Sequence, residues 1–319
     1  MGQADIAERN FMALNDVFAD IFNVLVFEGE RVVTEDTLAD QNPNSRYKAD
    51  DDRLHEQERD ALKLWHGHGL NLLLAGIENQ TKPDKDMPFR IIGYDGASYR
   101  SQLLKTEEKE INGVIKNVPV KERHPVLTIV LYFGKELWKC QKNLKECFEP
   151  PLAEDKISAV LKKYIQDYKV HIFDIPRLTS EQVQMFRSDF KIVADYFTKV
   201  YNTDEYVPDD AVITHVDEFL KLMKVLTGDK RFEEVAHTMT QSERSELKMR
   251  SILAEHEERG EARGKEIGKE IGKEIGKEIG EERMGKLVTL LLSQEKVEEV
   301  KKVVSDKETR EAYYIRYNI

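Results

Sequence analysis

Only two cysteines, Cys140 and Cys147, occur in the 319 residues. They stand seven apart, outside any Cys-x-x-Cys or Cys/His cluster, which excludes a structural zinc site of the usual kind. A reduced, cytoplasmic compartment is the expectation. No window approaches the roughly 18 apolar residues of a membrane span, so no membrane partner is expected. Met1-Gly2-Gln3-Ala4-Asp5 has no basic or apolar leader, and no signal peptide is expected. A basic surplus is missing too: 49 Lys and Arg face 60 Asp and Glu, for a net charge of −11. The whole molecule does not attract nucleic acid, so any such contact needs a local basic patch or bound cations. No helix-turn-helix or zinc finger is evident, and sequence-specific readout of DNA is unsupported.

A hydrophobic content of 40% suffices for a globular core, and 34% charged residues leaves much for exposed segments. Phe11, Leu14, Phe18, Ile21, Phe22 and Leu25 recur at helical spacing and predict a helix over 4–27. Residues 40–57 are polar and acidic, with a turn at Asn42-Pro43-Asn44-Ser45 and the charge run Asp50-Asp51-Asp52. They read as loop or a partly helical lead-in. Strands are predicted at Asp60–Trp65 and Leu70–Glu78, joined by His66-Gly67-His68-Gly69. A helix follows from Asp86, its N-cap, with Pro88 in the first turn and Ile91, Tyr94 and Ser98 on one face. Val126 to Phe133 is a β-branched and aromatic run, the strongest buried-strand pattern in the chain. Another strand is expected over Val170–Ile175.

This order predicts an α/β fold, a mixed sheet flanked by helices, followed by a helical C-terminal region. Lys135, Lys139, Lys142 and Lys145 surround Trp138, diluted by Glu136 and Glu146, and read as a solvated helix face. From Gly264 the tetrad Gly-Lys-Glu-Ile occurs four times. A period of four advances about 400° on a helix, so each Ile drifts about 40° from the last and no heptad seam forms. The run reads as an exposed helical spacer with i,i+3 ion pairs such as Glu266–Lys269. The expected divisions are 1–180, 181–258, 259–284 for the repeat, and 285–319 for a small helical tail. Self-association is expected through the C-terminal helices.

The chemistry concentrates in Leu72-Leu73-Leu74-Ala75-Gly76-Ile77-Glu78-Asn79-Gln80. Alternation along a strand puts Glu78 and Gln80 on one face. A carboxylate ending an apolar strand is costly to bury without a partner or a metal. Asp60, one strand and a turn upstream, is the candidate partner. Two carboxylates across adjacent strands beside an amide can make a divalent-metal site.

Arg59-Asp60, Ile77-Glu78-Asn79-Gln80, Met87-Pro88-Phe89-Arg90, Tyr94-Asp95, Tyr99 and Gln102 together resemble the recombination-promoting nuclease and putative transposase family of bacteria. That family belongs to the PD-(D/E)XK nuclease superfamily. The resemblance covers roughly residues 10–135, and the Gly-Lys-Glu repeats and the Arg310–Tyr314 tail are similar as well. It implies a restriction-endonuclease-like fold and metal-dependent hydrolysis of DNA in recombination, DNA mobility or defence. It implies that Asp60, Glu78 and Gln80 are catalytic, and that Asp60, Glu78 and the Asn79 carbonyl bind Mg²⁺ or another divalent cation. Gln80 stands where the superfamily has lysine, so it brings an amide but no charge. Asp16 and Asp20, four apart on the first helix, are candidates for a further acid, with Asp16 preferred. Arg90, Tyr94 and Tyr99 are candidates for phosphate contacts. A second class stays open, a non-catalytic DNA- or protein-binding module that retains the nuclease fold. Gln80 and the net acidity favour it.

Overall fold

The computed structural model describes residues 3–41, 44–48, 54–67, 70–148, 156–202, 206–208, 210–245 and 247–319. Its contacts form two compact units, Met1–Leu253 and Ala254–Ile319. The expected turn residues Asn42 and Pro43, the run Asp50–Asp52, and His68 and Gly69 of the connection lie outside the described residues.

The first unit opens with α1, Gln3–Met12, and α2, Asn15–Leu25. The single helix expected over 4–27 is divided at Ala13 and Leu14. Leu14 adopts an extended backbone, φ −63° and ψ 128°, so the chain turns while Phe11 and Phe18 still enter one core. Residues 17–25 of α2 are all buried, which makes it a central helix rather than a surface one.

The described strands are β1 (Leu38–Asp40), β2 (Asn44–Lys48), β3 (Leu54–Glu58), β4 (Ala61–Gly67), β5 (Leu70–Gln80), β6 (Thr106–Ile111), β7 (Val114–Pro119), β8 (Val126–Tyr132) and β9 (His171–Asp174). Five of them form the main sheet in the order β1-β4-β5-β8-β9. β1, β4 and β5 run antiparallel, and β8 and β9 continue parallel to β5. The parallel step from β5 to β8 is bridged by α3, Met87–Leu104. Over 40–57, where the polar, acidic composition predicts loop or a partly helical lead-in, β2 and β3 pair as an antiparallel hairpin. A second hairpin, β6–β7, turns through Asn112 and Gly113, both at positive φ (54° and 73°). Asn-Gly is the dipeptide that such a two-residue turn demands.

Alternation along β5 sorts its two faces. Ala75 and Ile77 join Ile129, Leu131 and the α2 residues in the larger core. That core also takes in the helices α5 (Ser180–Met185), α6 (Phe190–Asn202), α7 (Val216–Thr227) and α8 (Arg231–Thr238). On the other face, Met87, Ile91 and Tyr94 of α3 pack with Val130, Tyr132 and Trp138. Trp138 is therefore a core residue on an irregular segment, not part of the expected solvated helix face. Its ring meets Tyr132 edge-on at 5.2 Å, and its indole N–H donates to the Cys140 carbonyl at 3.1 Å.

Gly76 sits where Arg59 crosses the α3 face of β5. A Cβ there would stand 2.9 Å from Arg59 Nη1, 3.0 Å from Arg59 Cδ and 3.1 Å from Thr128 Oγ1. Gly76→Ala is expected to destabilise the protein by about 1–3 kcal/mol through this overpacking, read as a lower denaturant midpoint.

The chain continues with α4 (Lys156–Tyr164), which precedes β9, and with α9 (Gln241–Arg244). The Gly-Lys-Glu-Ile run is part of one helix, α10, Met249–Ser293. Among the described residues α10 holds the i,i+4 ion pairs Lys277–Glu281 and Glu282–Lys286, while the side chain of Glu266, of the expected Glu266–Lys269 pair, lies outside the described residues. Ile271, Ile275 and Ile279 are exposed. In the second unit the end of α10 packs with α11 (Val297–Ser305) and α12 (Lys307–Tyr317) through Leu287, Leu291, Val303 and Tyr314. No helix among the described residues is long and apolar enough to cross a membrane. The whole has the mixed five-stranded sheet, flanking helices and helical C-terminal region of a restriction-endonuclease-like protein.

Candidate active site

The strand register assembles the site. Ala61 pairs with Ile77, which sets Asp60, one residue before β4, level with Glu78 near the end of β5. Asp60 Oδ2 accepts the Asn79 backbone N–H at 2.7 Å and the Asn79 amide at 3.1 Å. These bonds fix the loop carboxylate against the strand end.

Glu78 is 4% exposed and faces α3. Its Oε1 accepts from Arg90 Nη2, from the Gln80 amide at 3.3 Å and from the Tyr94 hydroxyl at 3.5 Å. Burial, and after it the Asp60 charge, push the Glu78 carboxyl up to about 8, while Arg90 and Arg59 pull it back. Burial acts most strongly, against the charged Arg90, but Glu78, Tyr94 and Asp84 together more than offset it and the guanidinium titrates above its ordinary range. Arg90 also donates to Asp84 at 3.0 Å and to the Tyr94 hydroxyl at 3.2 Å. α3 brings both side chains here because Arg90 and Tyr94 are four apart, on one helix face.

A second polar layer lies beneath. Arg59 is 1% exposed and donates to Thr128 at 2.8 Å, to the Tyr94 carbonyl at 2.7 Å, to Ser98 and to Asp95 at 3.4 Å. Asp95 also accepts from Thr128 at 2.6 Å and from Tyr168. Of the residues carrying the family resemblance, Tyr94 therefore serves the carboxylates, while Arg59 and Asp95 form the buried support behind them.

The structure brings together Asp60, Glu78, Asn79, Gln80, Arg90 and Tyr94. It does not bring Tyr99 or Asp16 to them. The Tyr99 hydroxyl accepts the Val126 N–H at 3.0 Å, at the opposite end of β8 from the residue that pairs with Glu78. Gln102 likewise clamps His124 through both its amide atoms, at 3.1 and 2.6 Å. Asp16 meets His215 Nε2 at 2.9 Å, beside a cleft lined by Asp20, Arg31 and Ser188. Asp20 is a buried brace. It pairs with Arg31 and accepts the Arg187 and Ser188 N–H groups at 2.7 and 2.8 Å and the Ser188 hydroxyl at 2.9 Å. Asp20→Ala is expected to cost about 2–4 kcal/mol, because it strands buried donors. A denaturation curve indistinguishable from wild type would remove that role.

Of the acids on the opening helices, Glu8 on α1 adds the least of the charges that raise the Glu78 carboxyl. Sequence reasoning did not single it out, since helical periodicity gives no distance to a strand end. It also missed Asp84 and the Arg59 support, whose partners are dozens of residues away.

The donors at the strand end are all oxygens: the Asp60 and Glu78 carboxylates and the Asn79 carbonyl. That set suits a hard divalent cation that keeps several waters. Asn79 Oδ1 is also buried without a hydrogen-bond partner in the structure. No group of three or more His, Cys, Asp or Glu with metal-binding spacing occurs among the described residues, so such a cation would be held by two carboxylates and backbone.

Comparison with curated proteins and with solved structures returns no match. The profile of the family described as "Putative transposase, YhgA-like" matches residues 51–226, more than half of the chain and the span from just before Asp60 to α7. With Asp60 just before β4 and Glu78 on the adjacent β5 of a restriction-endonuclease-like sheet, the chain belongs to this YhgA-like transposase family, a PD-(D/E)XK-like family.

Proposed function

We propose that the protein is a Mg²⁺-dependent DNA endonuclease that hydrolyses phosphodiester bonds in recombination, DNA mobility or defence against foreign DNA. The observation that carries this reading is the buried Glu78 carboxylate beside Asp60 at the end of a central strand. Burying such a carboxylate is unfavourable, and a divalent cation would compensate it. Family membership supports a DNA-processing role.

Asp60, Glu78 and the Asn79 carbonyl would hold the cation, with Asp60 kept in place by the Asn79 N–H. When bound, the cation supplies Lewis acidity toward the phosphate and activates water. Gln80 orients water through its amide, while Arg90 and Tyr94 hold the rim where a phosphate oxygen would bind. The net charge of −11 confines attraction for DNA to this cation and these side chains.

The second reading is a non-catalytic DNA- or protein-binding module of the same fold. It is favoured by the uncharged Gln80 and by the pairing of Glu78 with Arg90.

Plasmid nicking with and without Mg²⁺ separates the two. Wild type is expected to nick only with the cation, and Asp60→Ala and Glu78→Ala are each expected to lose about 10²-fold or more. Wild type that never nicks, or variants that nick as well as wild type, would leave the binding module as the correct reading.

A further inference from the structure

We propose that Arg90 is a displaceable counter-ion of Glu78. It must leave that carboxylate before Glu78 can serve as a metal ligand, and once free it gives the scissile phosphate the positive charge that Gln80 lacks. The proposal rests on the metal-dependent endonuclease reading and states how that same site is controlled.

Two guanidinium groups act on Glu78, and they differ in freedom. Arg59 is 1% exposed and pinned by Thr128, Ser98, the Tyr94 carbonyl and Asp95. It cannot move without stranding these partners. The Arg90 side chain is 36% exposed and stands on the first turn of α3. One of its nitrogens already bonds Asp84, whose side chain is 26% exposed at the solvent edge. Arg90 can therefore release Glu78 while keeping Asp84.

Charge balance makes the exchange necessary. A carboxylate as buried as Glu78 needs a neighbouring positive charge whenever it is ionised. Arg90 provides one in the structure. A divalent cation on the same carboxylate would repel a guanidinium left in contact with it.

The position to which Arg90 is released is also the useful one. Arg90 and Gln80 donate to the same oxygen, Glu78 Oε1. The guanidinium thus stands beside the place where a lysine at position 80 would carry its ammonium. Its planar fork suits phosphate oxygens.

The test is direct binding of Mn²⁺ to the full chain without DNA, followed by nicking. Arg90→Gln is expected to bind Mn²⁺ about tenfold more tightly than wild type, and Arg90→Lys to lie between them. In nicking, Arg90→Gln should be at least about tenfold slower in spite of its tighter binding. Adding Gln80→Lys to it should restore most of the rate. Arg90→Lys guards against misfolding of the neutral variant, and a thermal melt of each chain confirms the fold. Equal or weaker Mn²⁺ binding by folded Arg90→Gln overturns the exchange, as does the absence of Mn²⁺ binding by every chain. Unchanged nicking, or no recovery with Gln80→Lys, overturns the charge supply. Wild type that binds Mn²⁺ but never nicks sinks the endonuclease reading instead, and the comparison of affinities still decides the exchange.

Discussion

Arg59→Met is expected to lower the stability of the protein by about 3–5 kcal/mol, the usual cost of removing one partner of a buried ion pair. The substitution keeps much of the side-chain volume, so the loss is electrostatic. Asp95 would be left buried and ionised, with Thr128 and Tyr168 as its remaining partners. The Ser98 hydroxyl and the Tyr94 carbonyl would each lose a bond as well. Total stabilities of about 5–15 kcal/mol make this a large fraction. Urea denaturation should show a lower midpoint with an unchanged slope. The double variant Arg59→Met/Asp95→Asn should recover part of the loss, because it removes the stranded charge. A single variant within about 1 kcal/mol of wild type would mean that the layer is not structural. Arg59 precedes Asp60 directly, so the same anchor places the loop carboxylate that meets Glu78 across the strands.

What the sequence made legible follows from how local each feature is. β5 and β8 are apolar runs whose burial on both faces is written in consecutive residues. The start of α3 is marked by Pro88 in its first turn, after Asp86 at the N-cap position, whose side chain makes no capping bond. The pairing of Asp60 with Glu78 was also within reach, because two adjacent antiparallel strands have a short register. The break between α1 and α2 was not, since Phe11, Leu14 and Phe18 keep helical spacing straight through it. That break also bears on Asp16, which meets His215 rather than the strand end. Glu8 and Asp16 belong to different helices, so a face shared in one long helix is not shared here. β6–β7 is exposed along nearly all its length, so it has no hydrophobic pattern, and Asn112-Gly113 was its one local sign. The support formed by Arg59, Asp95, Thr128 and Tyr168 spans a helix, a strand and two connecting segments, and no spacing rule reaches that far.

Glu78→Gln is expected to abolish metal-dependent nicking, by about 10²-fold or more, and at the same time to remove a pH dependence of stability. The Glu78 carboxyl is raised from 4.5 to about 8 in the folded protein. Between these values the folded chain holds a proton that the unfolded chain has released. The stabilisation from Glu78 is thus complete below about pH 4.5 and lost as pH rises through about 8, with a steepest slope near 1.4 kcal/mol per pH unit. Wild type should therefore lose stability relative to Glu78→Gln across that window, by up to about 5 kcal/mol in all. Parallel stability curves for the two chains would show that Arg90 already neutralises the carboxylate fully. Mg²⁺ at pH 8 should raise the wild-type melting temperature and leave that of Glu78→Gln unmoved, because a ligand stabilises only the state that binds it. A carboxylate kept for packing or folding would show the opposite: its replacement would destabilise at every pH, and the cation would change nothing. Stability gained together with activity lost is what a buried acid retained for binding a cation should produce.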